Sequence, residues 1–227
     1  MITFLIFLIC LPFWSKYKWG KNASTIFGII NLRDKKLIYL LLFEFFKALV
    51  IILLISLAAL VGGYATFVSK TNSSILINSI GLGLIVGFAE ELVFRIWLFE
   101  ELQIFFKRKY ANLFQAIIFS LVHFRFDFDF SSNFQLLIGL FFLGLYLNKW
   151  RVKEYPSILI PICFHSSIVS LWFLVSNSFL NIQTNIPNIL FGPGKSNNIN
   201  PMGGLLGILI ILILCFYKHS YFKKNYE

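Results

Sequence analysis

The octapeptide FAEELVFR, Phe88–Arg95, sets three ionisable side chains in an otherwise apolar run. GLGLIVG precedes the glutamates and IWLF follows the arginine. An ionisable group at the centre of a bilayer costs a few kcal/mol or more, and such groups are by default functional. The meaning of Glu90, Glu91 and Arg95 therefore depends on whether the run around them lies in a membrane.

Composition says that it does. The chain has 227 residues, 58% hydrophobic and 13% charged, with a mean hydropathy of +0.80. Soluble domains carry about 25% charged residues. The expected fold is all-α: a polytopic transmembrane bundle of about seven helices forming one integral membrane domain over residues 1–227. Seven apolar segments run roughly over 2–14, 39–61, 76–99, 112–124, 134–150, 156–175 and 203–217. Each reads as a helix, because in lipid a single segment can satisfy its backbone only that way. The first is short. It lacks a basic leader and a small-residue cleavage site, so it reads as an uncleaved anchor with its N-terminus outside, with a half-inserted helix as the alternative.

The net charge of +10 could suggest nucleic acid, but its distribution points to membrane orientation. One set of connections holds Lys16, Lys18, Lys21, Arg33, Lys35, Lys36, Lys107, Arg108, Lys109, Lys149, Arg151, Lys153, Lys218, Lys223 and Lys224. The alternate set holds only Lys70, Arg125 and Lys195, while Lys47 and Arg95 lie within spans. The basic set belongs on the cytoplasmic side. The expected partner is membrane lipid, not nucleic acid. Cys10, Cys163 and Cys215 stand apart in apolar runs with no CxxC, and support neither a disulfide framework nor a cysteine zinc site. The connection over 176–202, including FGPGKSNNINP, reads as a flexible outer loop, with a lid as the alternative.

Within the third segment, Glu91 and Arg95 are four residues apart and can pair along one helix face. Glu90 lies about 100° away. Gly83 and Gly87 lie near that face and would admit a second helix closely. Glu90 then needs polar partners, and two histidines offer themselves. His123 follows Phe119 and Gln115 on one stripe of the fourth segment; His165 follows Pro161 in the sixth. His219 belongs to the basic tail. Counted along their helices at ~1.5 Å per residue, Glu90, His123 and His165 fall in one layer near mid-membrane.

Two hydrolytic chemistries suit such a layer. Glu90 could act as general base toward water, with a histidine positioning the water or stabilising an oxyanion. Alternatively Glu90, His123 and His165 could hold a zinc ion that activates the water. No HExxH spacing supports the metal, and the metal-free version is preferred. The same residues could serve a proton or ion pathway, or could simply hydrogen-bond the bundle together.

The motifs resemble those of the CPBP family, the CAAX proteases and bacteriocin-processing enzymes also called Abi. EELVFR at Glu90–Arg95 matches its EExxxR motif and FSLVH at Phe119–His123 its FxxxH motif. His165 stands where the third motif, HxxxN, begins. GLFFLGLYLNKW and NPMGGLLG are also similar to the family, and the likeness covers roughly 75–217. It implies an intramembrane endopeptidase related to type II CAAX prenyl proteases, acting on membrane-associated proteins or peptides in the plasma membrane of a bacterium. Glu90 would be the base, His123 and His165 would assist, and Glu91, Arg95 and Phe119 would support the site. Cleavage is expected in the cytoplasmic half of the bilayer. Val169 replaces the usual Asn and cannot donate a hydrogen bond; Ser166, Ser167 and Ser170 are the nearby substitutes. Loss of one oxyanion donor costs about 100- to 1000-fold in rate. That departure keeps a noncatalytic, immunity-type peptide-binding scaffold open as the alternative, with a small transporter behind it.

Overall fold

The computed structural model describes residues 2–28, 35–151, 157–194 and 198–216. Arg33, Lys153, Lys195, Lys218, His219, Lys223 and Lys224 lie outside them. Helices α1 (Ile2–Trp19), α2 (Ala23–Phe27) and α3 (Lys35–Val61) lead to strand β1 (Ala65–Phe67). A rod follows: α4 (Ser73–Glu91), a π-helical turn over Leu92–Leu98, and α5 (Phe99–Phe105). Then come α6 (Arg108–Leu121), α7 (Phe130–Lys149), α8 (Leu159–Ser178), β2 (Leu180–Ile182), α9 (Asn188–Phe191), a 3₁₀ turn over Pro201–Gly203, and α10 (Leu205–Phe216).

Each of the seven expected segments is helical over most of its described residues, the fourth ending at Leu121 rather than Phe124. Four of the helices, α1, α3, α7 and α8, are long and apolar enough to cross a membrane, and α10 is a shorter apolar helix. The first extends beyond the expected Trp14 to Trp19, with Lys16 and Lys18 in its last turn, where cations favour the helix dipole. The rod also extends further than expected, to Phe105, because Glu100 and Glu101 find cationic partners. Glu90 accordingly sits near the middle of the rod.

Helix α4 packs against α8 over its length. The sequence permits this through glycine. A Cβ at Gly83 would collide with Ser170 Oγ and the Ser166 carbonyl, and one at Gly87 with Ser166 Oγ. Ser79 and Ser170 seal the seam, each hydroxyl donating to the other's carbonyl at 2.8 and 2.9 Å. In an apolar solvent, close backbone approach and such hydrogen bonds are what hold helices together. The second basic residue inside a span is also accommodated. Lys47 pairs with buried Glu44, which accepts a 2.6 Å bond from the Tyr146 hydroxyl of α7.

The two ends of the bundle differ. At one end Lys18 meets Glu101 at 2.7 Å, and Lys21 meets Glu100 at 2.6 Å. Arg108 there donates to the Arg151 carbonyl at 2.6 Å. At the other end β1 and β2 pair antiparallel, with Thr66 opposite Asn181. The connection after α8 is therefore not the loose loop its composition suggests. It forms β2, then α9, and returns across α7, where its Met202 carbonyl occupies the space a Cβ at Gly139 would need. Trp172 of α8 holds it by donating to the Ile199 carbonyl at 2.7 Å.

Glycine position separates close approach from mere permissiveness. Gly87→Val is expected to lower stability by about 3 kcal/mol or more through overpacking. Gly81→Ala, where an added Cβ meets nothing within 4 Å, is expected to be neutral or slightly stabilising. Thermal unfolding of the two variants in detergent checks the contrast.

Candidate active site

The site is built on the turn where the rod changes its winding. The α-helical ladder of α4 ends at Glu91 and the backbone passes directly into the π-helical segment. Such segments occur frequently at functional sites. Here the change falls between the glutamate pair and Arg95.

Glu91 and Arg95 do pair, Oε2 to Nε at 3.1 Å, and both side chains are fully buried. The guanidinium also stacks on the Phe119 ring, Cζ to centroid 4.0 Å. Glu91 has a second partner that the sequence does not reveal. Its Oε1 lies 2.8 Å from His165 Nδ1. A carboxylate can only accept, so Nδ1 carries the proton. Glu91 thus joins the rod to α8 as well as to its own next turn.

Glu90 lies on the neighbouring face and points into a cavity. Its Oε2 is 3.6 Å from His123 Nε2 and 3.8 Å from His165 Nε2. The three residues expected from the sequence to share a layer therefore meet at one point. His123 Nδ1 lies 2.7 Å from the Phe119 carbonyl, to which it must donate. Both rings thus have Nδ1 committed, and when neutral each turns a bare Nε2 toward Glu90. Three hydrogen-bond acceptors converge on one spot, which suits a water molecule that donates to two of them.

The same donor set, two imidazole nitrogens and a carboxylate, is chemically suited to zinc. Tetrahedral zinc with bonds of about 2.0–2.1 Å sets its ligands about 3.3 Å apart. The separations of 3.6 and 3.8 Å exceed that. Among the described residues no group of three or more His, Cys, Asp or Glu has the spacing of a metal site. The side chains as placed do not fit the ion, and no step is derived through it.

The cavity is about 650 Å³ and mostly apolar, with Val86, Phe119, Leu143, Ile168 and Trp172 among its walls. Val169 also lines it, on the same helix as His165. None of the three serines replaces the missing amide there. Ser167 donates to the Cys163 carbonyl at 2.6 Å and Ser170 to the Ser79 carbonyl. Ser166 packs against Gly87 on the far side of α8. The polar groups that do reach the cavity besides the triad are Arg125, Asn198 and Asn200. The last two belong to the connection after α8, which forms one wall of the cavity.

A further residue positions the opposite wall. Buried Asn133 accepts from the Arg125 amide at 2.9 Å and donates to the Arg125 carbonyl at 2.8 Å and the Phe128 carbonyl at 3.1 Å. It clamps the connection between α6 and α7 so that Arg125 and Phe128 face the cavity. One Asn near a helix start carries no sequence signal of this, since its partners are backbone atoms. Beside it, hydrogen bonds from Ser132 hold the Asp129 carboxyl below its ordinary range, so it caps α7 as an anion. The Arg125 guanidinium is held above its ordinary range by a bidentate pair with Asp127 at 3.0 and 3.1 Å.

Glu91→Gln is expected to cost about 3–5 kcal/mol, because it leaves the Arg95 charge buried without compensation. Adding Arg95→Met should recover much of that loss, as thermal unfolding of the single and double variants would register. Asn133→Ala is expected to loosen the wall at a cost of about 1–3 kcal/mol, seen as faster proteolytic nicking within 125–129.

Residues 70–171 match the family model described as Type II CAAX prenyl endopeptidase Rce1-like. Neither a curated protein nor a solved structure matches the chain. The matched segment contains the rod with Glu90, Glu91 and Arg95, the Phe119–His123 motif, and His165. Over that stretch, which is less than half of the chain, the sequence and the motif geometry are similar to the CAAX-type membrane endopeptidases that the family model describes.

Proposed function

We propose that this protein is an intramembrane endopeptidase of the multi-pass class, resident in a bacterial plasma membrane, that hydrolyses peptide bonds with Glu90 as general base. The observation that carries the reading is the approach of His123 Nε2 and His165 Nε2 to Glu90 Oε2, at 3.6 and 3.8 Å. Each group has its orientation fixed from behind. The Phe119 carbonyl holds His123, and the Glu91 carboxylate, itself paired with Arg95, holds His165.

The reaction follows from these roles. A water donates one hydrogen to Glu90 and is steadied by a histidine Nε2. Glu90 takes that proton as the water oxygen bonds to the substrate carbonyl carbon. The resulting oxyanion needs a donor, and His123 or His165 supplies one when its Nε2 is protonated. The C–N bond then breaks, and the proton held by Glu90 passes to the departing amine. Glu91 and Arg95 take no part in the proton transfers. None of these steps is routed through a metal ion.

A second reading is favoured by one observation. Val169 lines the cavity where an amide donor would help, the Ser167 and Ser170 hydroxyls are engaged elsewhere, and Ser166 packs against Gly87. A scaffold that binds and sequesters peptides would tolerate that loss.

Comparing membrane peptides from cells carrying wild type and Glu90→Gln separates the readings. Under hydrolysis, cleavage products vanish in Glu90→Gln and in the His123→Ala and His165→Ala variants, each a loss of about 100-fold or more, while the proteins remain folded. An unchanged peptide profile, with peptide binding retained by Glu90→Gln, would establish the scaffold instead. Activity that persists in chelators, together with substoichiometric metal in the purified protein, is the outcome expected of the metal-free mechanism.

A further inference from the structure

We infer that the cavity holding Glu90 opens on the non-cytoplasmic face of the membrane, so that its substrate is an apolar polypeptide segment presented from that side. The substrate half of this statement rests on the hydrolytic reading above; the orientation half does not.

The argument joins two independent observations. The first is charge. Lys16, Lys18, Lys21, Lys35, Lys36, Lys107, Arg108, Lys109, Lys149 and Arg151 all lie at helix ends or in short connections. Direct contacts gather these ends together. Lys18 and Lys21 reach the glutamates of α5, Arg151 approaches Glu100 at 3.8 Å, and Arg108 bonds the Arg151 carbonyl. The opposite end carries only Lys70 and Arg125 among the described residues. Basic residues in short connections mark the cytoplasmic side, so the basic end is cytoplasmic.

The second observation is where the cavity is walled. Its non-helical lining comes from the two connections at the sparsely charged end, Arg125 and Phe128 on one side and Pro193 and Asn198–Pro201 on the other. The first follows the C-terminus of α6, whose N-terminus is at the basic end. The second follows β2, which pairs with β1 beyond the end of α3. Among the described residues, no lining residue comes from the basic end.

Helix length explains how a site among these loops is still within the membrane. Helix α6 has 14 residues, ~21 Å, against a bilayer core of ~30 Å. Its end, with His123, stops short of the outer surface. The connection that follows presents Phe126 and Phe130, 96% and 85% exposed. Apolar rings so exposed suit contact with lipid or an apolar partner rather than with water. The cavity beneath is lined chiefly by apolar and aromatic side chains, and its mouth cation, Arg125, is already paired with Asp127. An apolar stretch of polypeptide fits it, and a cytoplasmic protein tail does not reach it. Access from that side differs from the cleavage in the cytoplasmic half of the bilayer that the sequence reading expects.

The test uses the full chain with Cys10, Cys163 and Cys215 replaced by alanine. Single cysteines are placed by Phe126→Cys, Asn198→Cys and Lys109→Cys, and intact expressing cells are treated with a membrane-impermeant maleimide. The cysteines at 126 and 198 should label to the same extent in intact and disrupted cells, and that at 109 only after disruption. The reverse pattern, or equal protection of all three in intact cells, overturns the orientation whether or not the protein is an enzyme. For the substrate, reporter segments with one cleavable apolar stretch are displayed on either face. Glu90-dependent cleavage confined to the non-cytoplasmic display supports the assignment, and cleavage confined to the cytoplasmic display overturns it.

Discussion

The Glu91 carboxylate is the point on which the site depends. It lies fully buried between the Arg95 guanidinium and the Nδ1–H of His165. A charge so placed is tolerated only if it is paired and hydrogen-bonded. Arg95 is under the same constraint, and its cation is further met by the face of Phe119. Each partner therefore requires the others. The rod cannot slide against α8 without parting Glu91 from His165, nor can α6 shift without moving Phe119 away from Arg95. Three helices are held in register by one buried charge, and Glu90 and His123 are carried into place as a consequence.

The rest of the bundle makes this arrangement possible. Glycines at 83 and 87 bring α4 close enough to α8 for a side chain as short as glutamate to reach His165. The shift to π-helical winding after Glu91 alters the direction in which the next residues point, at the place where Arg95 must reach back. At the cavity mouth the polar work is done by backbone groups. Asn133 satisfies one connection and Trp172 the other. A Gly and Asn-rich stretch becomes a wall because its carbonyls have fixed donors and because Gly139 leaves room for it.

Much of this was legible in the residue order. The helices were visible because a membrane enforces long apolar runs, and the Glu90, His123 and His165 layer was visible because helical rise converts residue number into depth. The Glu91–Arg95 pair followed from their spacing. The link from Glu91 to His165 did not, since the two are 74 positions apart and no local pattern relates them. The serines near Val169 looked equivalent in the sequence, yet two are spent on carbonyls and the third faces away.

The sequence by itself determined which segments are helices, which end of the bundle is basic, and which ionisable groups lie deep among apolar residues. Those properties arise from composition and periodicity, which are local. Tertiary structure alone decided that Glu91 anchors His165 and that the connections after α6 and β2 wall the cavity. Those depend on how helices rotate and cross, and rotation is set by close contacts between residues far apart in the chain.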